Sequence, residues 1–115
     1  MKHSDLGRYK QKGEKITCLT AYDASMASLI DSAGVDTILI GDSLGMVIQG
    51  AENTRSVSMK DMIYHTSIVS GACKQSLVIA DMPFNSYEDT QSALSNAKAL
   101  IDHGAEMIKI EGGIE

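Results

Sequence analysis

Asp23, Asp42, Asp81 and Glu111 each stand at the end of a short apolar run, in ITCLTAYD, TILIGD, LVIAD and MIKIE. Parallel strands bring their C-terminal ends to one face of a sheet or barrel, so acids that end successive strands converge there although far apart in sequence. Gathered carboxylates repel one another unless a cation lies among them. An oxygen-only ligand set favours Mg²⁺, Mn²⁺ or Ca²⁺ over zinc or copper. The competing reading is local, since an acid that ends a strand also caps the helix that follows. Asp23 fits a cap best, whereas Asp42, Asp81 and Glu111 together fit the ion.

Two further residues add to this set. Ser43 follows Asp42 in GDSLG, where Gly41 and Gly45 let backbone N–H groups and a hydroxyl come close to a carboxylate. Lys109 and Glu111 are two apart and share one face of a strand, with Ile108 and Ile110 on the other. An ammonium there suits the carboxylate of an anionic substrate, and Glu111 suits a metal or its bound water. The alternative for this pair is a structural salt bridge. For Asp81, before Met82 and Pro83, the alternative is a turn-forming hydrogen bond. His65 within a helix and His103 beside a helix end read as structural, His3 as a solvated tail residue, and the methionines as core filling. Gly112 and Gly113 can cradle an anion if a further helix follows them.

The elements that must position these side chains alternate. Strands are predicted at Ile16–Ala21, Asp36–Gly41, Ser76–Asp81 and Glu106–Glu111. A helix runs from Asp23 to a left-handed stop at Gly34, and another opens at Ser58 with Asp61 placed for a near capping box. A third starts at Ser86 or Glu88 and ends at Gly104, while Asp42 to Val57 reads as a long functional loop. The opening from Ser4 to Lys15 is a short helix or a loose segment. Alternation of this kind means parallel strands with crossover helices. An open sheet covered on both faces by apolar helices would make an inward Lys109 costly, and a barrel mouth would not. The fold class is therefore α/β, the N-terminal portion of a (β/α)₈ barrel. A whole barrel needs about 250 residues, so residues 1–115 form one incomplete barrel domain.

Composition narrows the rest. An apolar fraction of 43% with 22% charged residues excludes a fibrous or disordered chain, and a net charge of −5 without a basic stripe argues against nucleic acid. No apolar run approaches the ~20 residues that span a bilayer, and the opening lacks the apolar stretch of a secretion signal, so a cytoplasmic location is expected. Cys18 and Cys73 lack metal-ligand spacing and are expected to be buried and reduced. A receiver-like, Mg²⁺-binding signalling domain is the alternative of this size, but it needs an adjacent acidic pair after the first strand and a lysine after a fifth. A further alternative is a non-catalytic fragment that self-associates through its unpaired edges.

TCLTAYD, GDSLGMVIQG, the YHT of the second helix, ADMPF and MIKIEGG, in this order and spacing, resemble the ketopantoate hydroxymethyltransferase family. The likeness covers essentially the whole chain and only the N-terminal part of that family. It implies a (β/α)₈ barrel, commonly a decamer, that transfers a hydroxymethyl group from 5,10-methylenetetrahydrofolate to 3-methyl-2-oxobutanoate. The product, 2-dehydropantoate, lies on the way to pantothenate. The resemblance implies Mg²⁺ held by Asp42, Asp81 and Glu111, partly through water, and the oxoacid held by Asp42, Ser43, Asp81 and Lys109. The family's general base is a glutamate of the second half of the barrel, so no catalytic base is expected within this chain.

Overall fold

The computed structural model describes residues 1–112. Gly113 lies outside them, and so does any test of an anion cradle there. A 3₁₀ turn at His3–Asp5 leads into α1 (Leu6–Lys12), followed by β1 (Cys18–Thr20), α2 (Ala24–Ser32), β2 (Thr37–Ile40) and α3 (Leu44–Val47). The chain continues through α4 (Met59–Ala72), β3 (Leu77–Asp81), α5 (Thr90–Asp102) and β4 (Met107–Lys109).

All neighbouring strands are parallel and lie in the order β1-β2-β3-β4. A doubly wound sheet reverses direction at a switch point, and none occurs across these strands. Steady winding in one direction is the pattern of a (β/α)₈ barrel. Ile38 and Ile40 of β2 and Val78 and Ala80 of β3 share one buried cluster with Ala27 and Ile30 of α2, Met62 and Val69 of α4, and Leu100 of α5. Burial of each large aliphatic side chain there stabilises by about 1.5–3 kcal/mol. Ile108 of β4 packs against the same cluster. Lys109, next along the strand, therefore points to the opposite, barrel-interior side, as the alternation requires.

The strands are shorter than the apolar runs. Ser76 donates its backbone N–H to Asp31 Oδ1 at 2.7 Å. Asp36 faces Thr17 through its side chain, accepting from Thr17 N at 2.9 Å and from Thr17 Oγ1 at 3.1 Å. At the other end, Met82 N donates to Lys109 O at 2.9 Å, and the following Pro83 has no N–H to offer. Pairing stops there, so Ile110 and Glu111 lie beyond β4 rather than in it.

Asp31 clamps the layers together. Its carboxylate accepts from the backbone N–H groups of Lys74, Gln75 and Ser76 at 2.7–3.0 Å, tying α2 to the turn before β3. Burial alone would raise its pKa, but those backbone donors outweigh it and hold the carboxyl at about 2.

Helix starts follow their caps. Asp23 Oδ1 accepts from Met26 N at 2.7 Å, so its role is the local one. Ser58 and Asp61 form the reciprocal capping box of α4. α5 begins at Thr90, later than Ser86 or Glu88, because Asp89 caps it through Ser92 N while the Ser86 hydroxyl turns back to Pro83 O. Within the long loop after β2, the short α3 had no periodic signal. Cys18 is exposed, against expectation, because every residue of the edge strand β1 is exposed. Cys73 is only partly buried, and burial followed by the charges of Asp31 and Glu106 pushes its thiol up to about 11. No described helix is long and apolar enough to cross a membrane.

Candidate functional site

The C-terminal ends of β2, β3 and β4 meet at one place. Register sets Asp81 directly beside Lys109 across the β3–β4 ladder. Lys109 Nζ donates to Asp81 Oδ1 at 3.1 Å and also to the Glu111 carboxylate. The other Asp81 oxygen accepts from the backbone N–H of Asp42 at 3.0 Å. Asp81 thus links the ends of β2 and β4, and its side chain is only 8% exposed, against 38% for Lys109 and 74% for Glu111.

The Asp42 carboxyl lies within reach of the charges of this pair. Burial raises its carboxyl pKa, and the negative charges of Asp81 and Glu111 raise it further, against the Thr54 hydroxyl and the Lys109 ammonium. Lys109 is held above the usual lysine value. Burial would lower it, but hydrogen bonds to Glu111 and Asp81 prevail. The same ammonium keeps Glu111 below the usual carboxylate range, through its hydrogen bond and its charge. One ammonium faces three carboxylates here, and the excess negative charge adds to burial in raising the Asp42 pKa.

Ser43 completes the mouth. It occupies the N-cap of α3 without making a side-chain cap bond. Its Oγ lies instead 2.7 Å from the Tyr22 hydroxyl. Gly41 gives this arrangement room, because a Cβ at that position would lie 3.1 Å from Ser43 Oγ and 3.5 Å from Asp81 Oδ2. Gly45 performs a similar service for the loop behind, where a Cβ would stand 2.6 Å from Val57 Cγ2.

The site residues expected from sequence accordingly fall into two groups. Asp42, Ser43, Asp81 and Lys109 are brought together by the strand ends, through the contacts above. Glu111 joins them by way of Lys109. Among the described residues, no three His, Cys, Asp or Glu side chains are gathered closely enough to form a ready metal cage. The convergence of Asp42, Asp81 and Glu111 is thus one of charge, with the lysine between Asp81 and Glu111.

Three contributors escaped the sequence reading. Tyr22 reaches Ser43 across the end of β1, and His65 Nδ1 meets the Tyr22 carbonyl at 2.7 Å. Tyr87 donates its hydroxyl to Glu111 O at 2.9 Å, fixing the backbone just past β4. Tyr22 beside the cap Asp23 and His65 within YHT were visible as residues. Their pairing was not, because it joins positions 21 and 43 residues apart. His103 does behave structurally, its Nδ1 lying 2.7 Å from Ala99 O at the end of α5.

The chain is similar to known proteins in sequence and in fold. A family model described as ketopantoate hydroxymethyltransferase matches residues 1–115. The chain is 61% identical over 110 residues to a 3-methyl-2-oxobutanoate hydroxymethyltransferase of Ruthia magnifica subsp. Calyptogena magnifica, covering 96% of this chain and 42% of that protein. It is 54% identical over 110 residues to a protein of the same name from Shewanella loihica, with the same coverage of 96% and 42%. The chain thus spans about two fifths of the length of these relatives.

Solved structures agree on the fold. A phosphoenolpyruvate phosphomutase from Streptomyces platensis subsp. rosaceus superposes with a TM-score of 0.77 at 16% identity, over 96% of this chain and 38% of that one. A phosphonopyruvate hydrolase complex with oxalate and Mg²⁺ gives 0.75 at 16% identity, over 94% and 38%. At such identities the likeness speaks for the barrel alone, whereas the family match over all of this chain and identities above one half speak for ancestry: the chain belongs to the ketopantoate hydroxymethyltransferase family.

Proposed function

We propose that this chain supplies the oxoacid- and metal-binding half of a transferase site. The reaction is the transfer of a hydroxymethyl group from 5,10-methylenetetrahydrofolate to 3-methyl-2-oxobutanoate, giving 2-dehydropantoate in pantothenate biosynthesis. One observation carries this reading: Asp42, Ser43, Asp81 and Lys109 meet at the strand ends with both charges and a hydroxyl available to an anionic ligand. The names of the similar proteins point to the same substrate.

The donor set fits a hard divalent ion. It is oxygen-only, and the Asp42 carboxyl, its pKa raised first by burial and then by the charges of Asp81 and Glu111, lies beside negative charge that a cation would relieve. Asp42 and Asp81 would hold Mg²⁺, with Glu111 contributing through water. The phosphonopyruvate hydrolase that shares the fold was itself solved as a complex with oxalate and Mg²⁺. Mg²⁺, when bound, supplies positive charge to the oxygens of a 2-oxoacid and so makes the neighbouring C3 proton more acidic.

The protein's own groups do the remaining work. Lys109 neutralises the substrate carboxylate, exchanging part of its contact with Asp81 and Glu111 for it. Ser43 donates its hydroxyl and backbone N–H to orient the oxoacid, so that C3 faces the proton acceptor and the incoming one-carbon unit. That acceptor, and the folate pocket, are proposed to come from the part of the relatives' length that this chain does not span. Such an enzyme belongs in the cytoplasm as a homo-oligomer, a decamer by family resemblance.

Loss of the C3 proton is measurable without folate. In the full-length transferase with Mg²⁺, C3-deuterated 3-methyl-2-oxobutanoate should lose its label to water, and Asp81→Ala should slow this at least a hundredfold. Exchange at the unaltered rate in the variant would refute the assignment.

A further inference from the structure

We propose that Tyr22 and His65 are positioning residues for Ser43, an inference that rests on reading Ser43 as an oxoacid contact. A serine hydroxyl on an open barrel mouth rotates freely, and α3 does not restrain this one, since Ser43 makes no side-chain cap bond. The restraint comes from the Tyr22 hydroxyl at 2.7 Å. With Tyr22 donating, the Ser43 oxygen is satisfied and its own hydrogen is free for a substrate oxygen. Donors linked in series also polarise one another.

Tyr22 is itself held from two sides. The next residue, Asp23, anchors the backbone by capping α2 through Met26 N. From α4, His65 Nδ1 lies 2.7 Å from the Tyr22 carbonyl, which can only accept, so that nitrogen carries the proton and donates. The His65 ring meets those of Tyr22 and Tyr64 edge-on, with centroids 6.4 Å and 5.2 Å apart, which restricts its tilt. A chain of contacts thus runs from α4 through the end of β1 to the hydroxyl at the end of β2. None of these groups carries a charge that the reaction needs, so the role is alignment.

The test uses steady-state kinetics of the full-length transferase. Tyr22→Phe should raise the KM for 3-methyl-2-oxobutanoate roughly three- to tenfold, the worth of one oriented hydrogen bond, with the folate KM unchanged. In a Ser43→Ala background the same change should add nothing, because its effect passes through that hydroxyl. His65→Leu should act as Tyr22→Phe does, and His65→Asn, whose amide can replace the Nδ1 donor, should restore the oxoacid KM. Additive effects of Tyr22→Phe and Ser43→Ala, or an unchanged KM in Tyr22→Phe, would overturn the proposal. So would His65→Asn behaving no better than His65→Leu. Asp81→Ala, run alongside, separates the two levels: if it too leaves oxoacid binding intact the site itself is misassigned, and if it alone is impaired only the positioning role fails.

Discussion

At the scale of single residues, Gly41 discloses how tightly the mouth is built. Its backbone lies outside the left-handed region, so alanine is conformationally acceptable there and would stabilise slightly by restricting the unfolded chain. The added methyl group would nevertheless press on Ser43 Oγ and approach Asp81 Oδ2. Gly41→Ala is therefore expected to raise the oxoacid KM about tenfold, equivalent to about 1.4 kcal/mol, while thermal unfolding shows no loss of stability. A variant that melts early, or one that binds normally, would contradict this account of the glycine. The carboxylates around it were legible from their places after apolar runs. The Lys109 ammonium between Asp81 and Glu111 was legible only in part, since spacing put Lys109 and Glu111 on one face without showing that Asp81 would be its partner across the ladder.

At the scale of elements, caps read well from sequence and long-range clamps did not. Ser58 with Asp61, and Asp23 alone, are local patterns whose partners lie three residues away. Asp89 was not among the starts that sequence suggested, Ser86 and Glu88, although it caps α5 through Ser92 N three residues on, while the turn at Pro83 takes up the Ser86 hydroxyl. Asp31 gave no sign of its role, since its backbone donors lie 43 to 45 residues on. Its energetics can be tested. The carboxyl has its ordinary value of 3.8 in the unfolded chain and about 2 in the fold, so it contributes stability above pH 4 that is lost as pH falls from about 4 towards 2. Asp31→Asn should cost on the order of 3 kcal/mol at neutral pH and flatten the acid limb of the stability curve in that window. Urea unfolding from pH 2 to 7 measures both, and parallel curves for the two proteins would show that the clamp does not stabilise the fold.

At the scale of the whole molecule, the sheet has two ends. β1 and β4 each pair on one side only, and all three residues of β1 are exposed. Exposed apolar side chains add to this, among them Leu19 on β1 and Met46, Val47 and Ile48 around α3. Unpaired edges and apolar surface of this kind favour association. The isolated 115-residue chain is accordingly expected to scatter light as a dimer or larger species at micromolar concentration. A stable monomer would show that the edges are protected. The fold class was readable because alternation of strands and helices restricted the choice to two architectures and the inward lysine of the fourth strand decided between them, whereas the strand order came only with the structure.

The central claim is that Asp42, Ser43, Asp81 and Lys109 bind a 2-oxoacid together with a divalent ion. Calorimetric titration of the full-length protein with 3-methyl-2-oxobutanoate, with and without Mg²⁺, tests it most directly. Binding should require the ion and weaken at least tenfold, about 1.4 kcal/mol, in Asp81→Ala. Equal affinity with and without Mg²⁺, undiminished in that variant, would contradict the account.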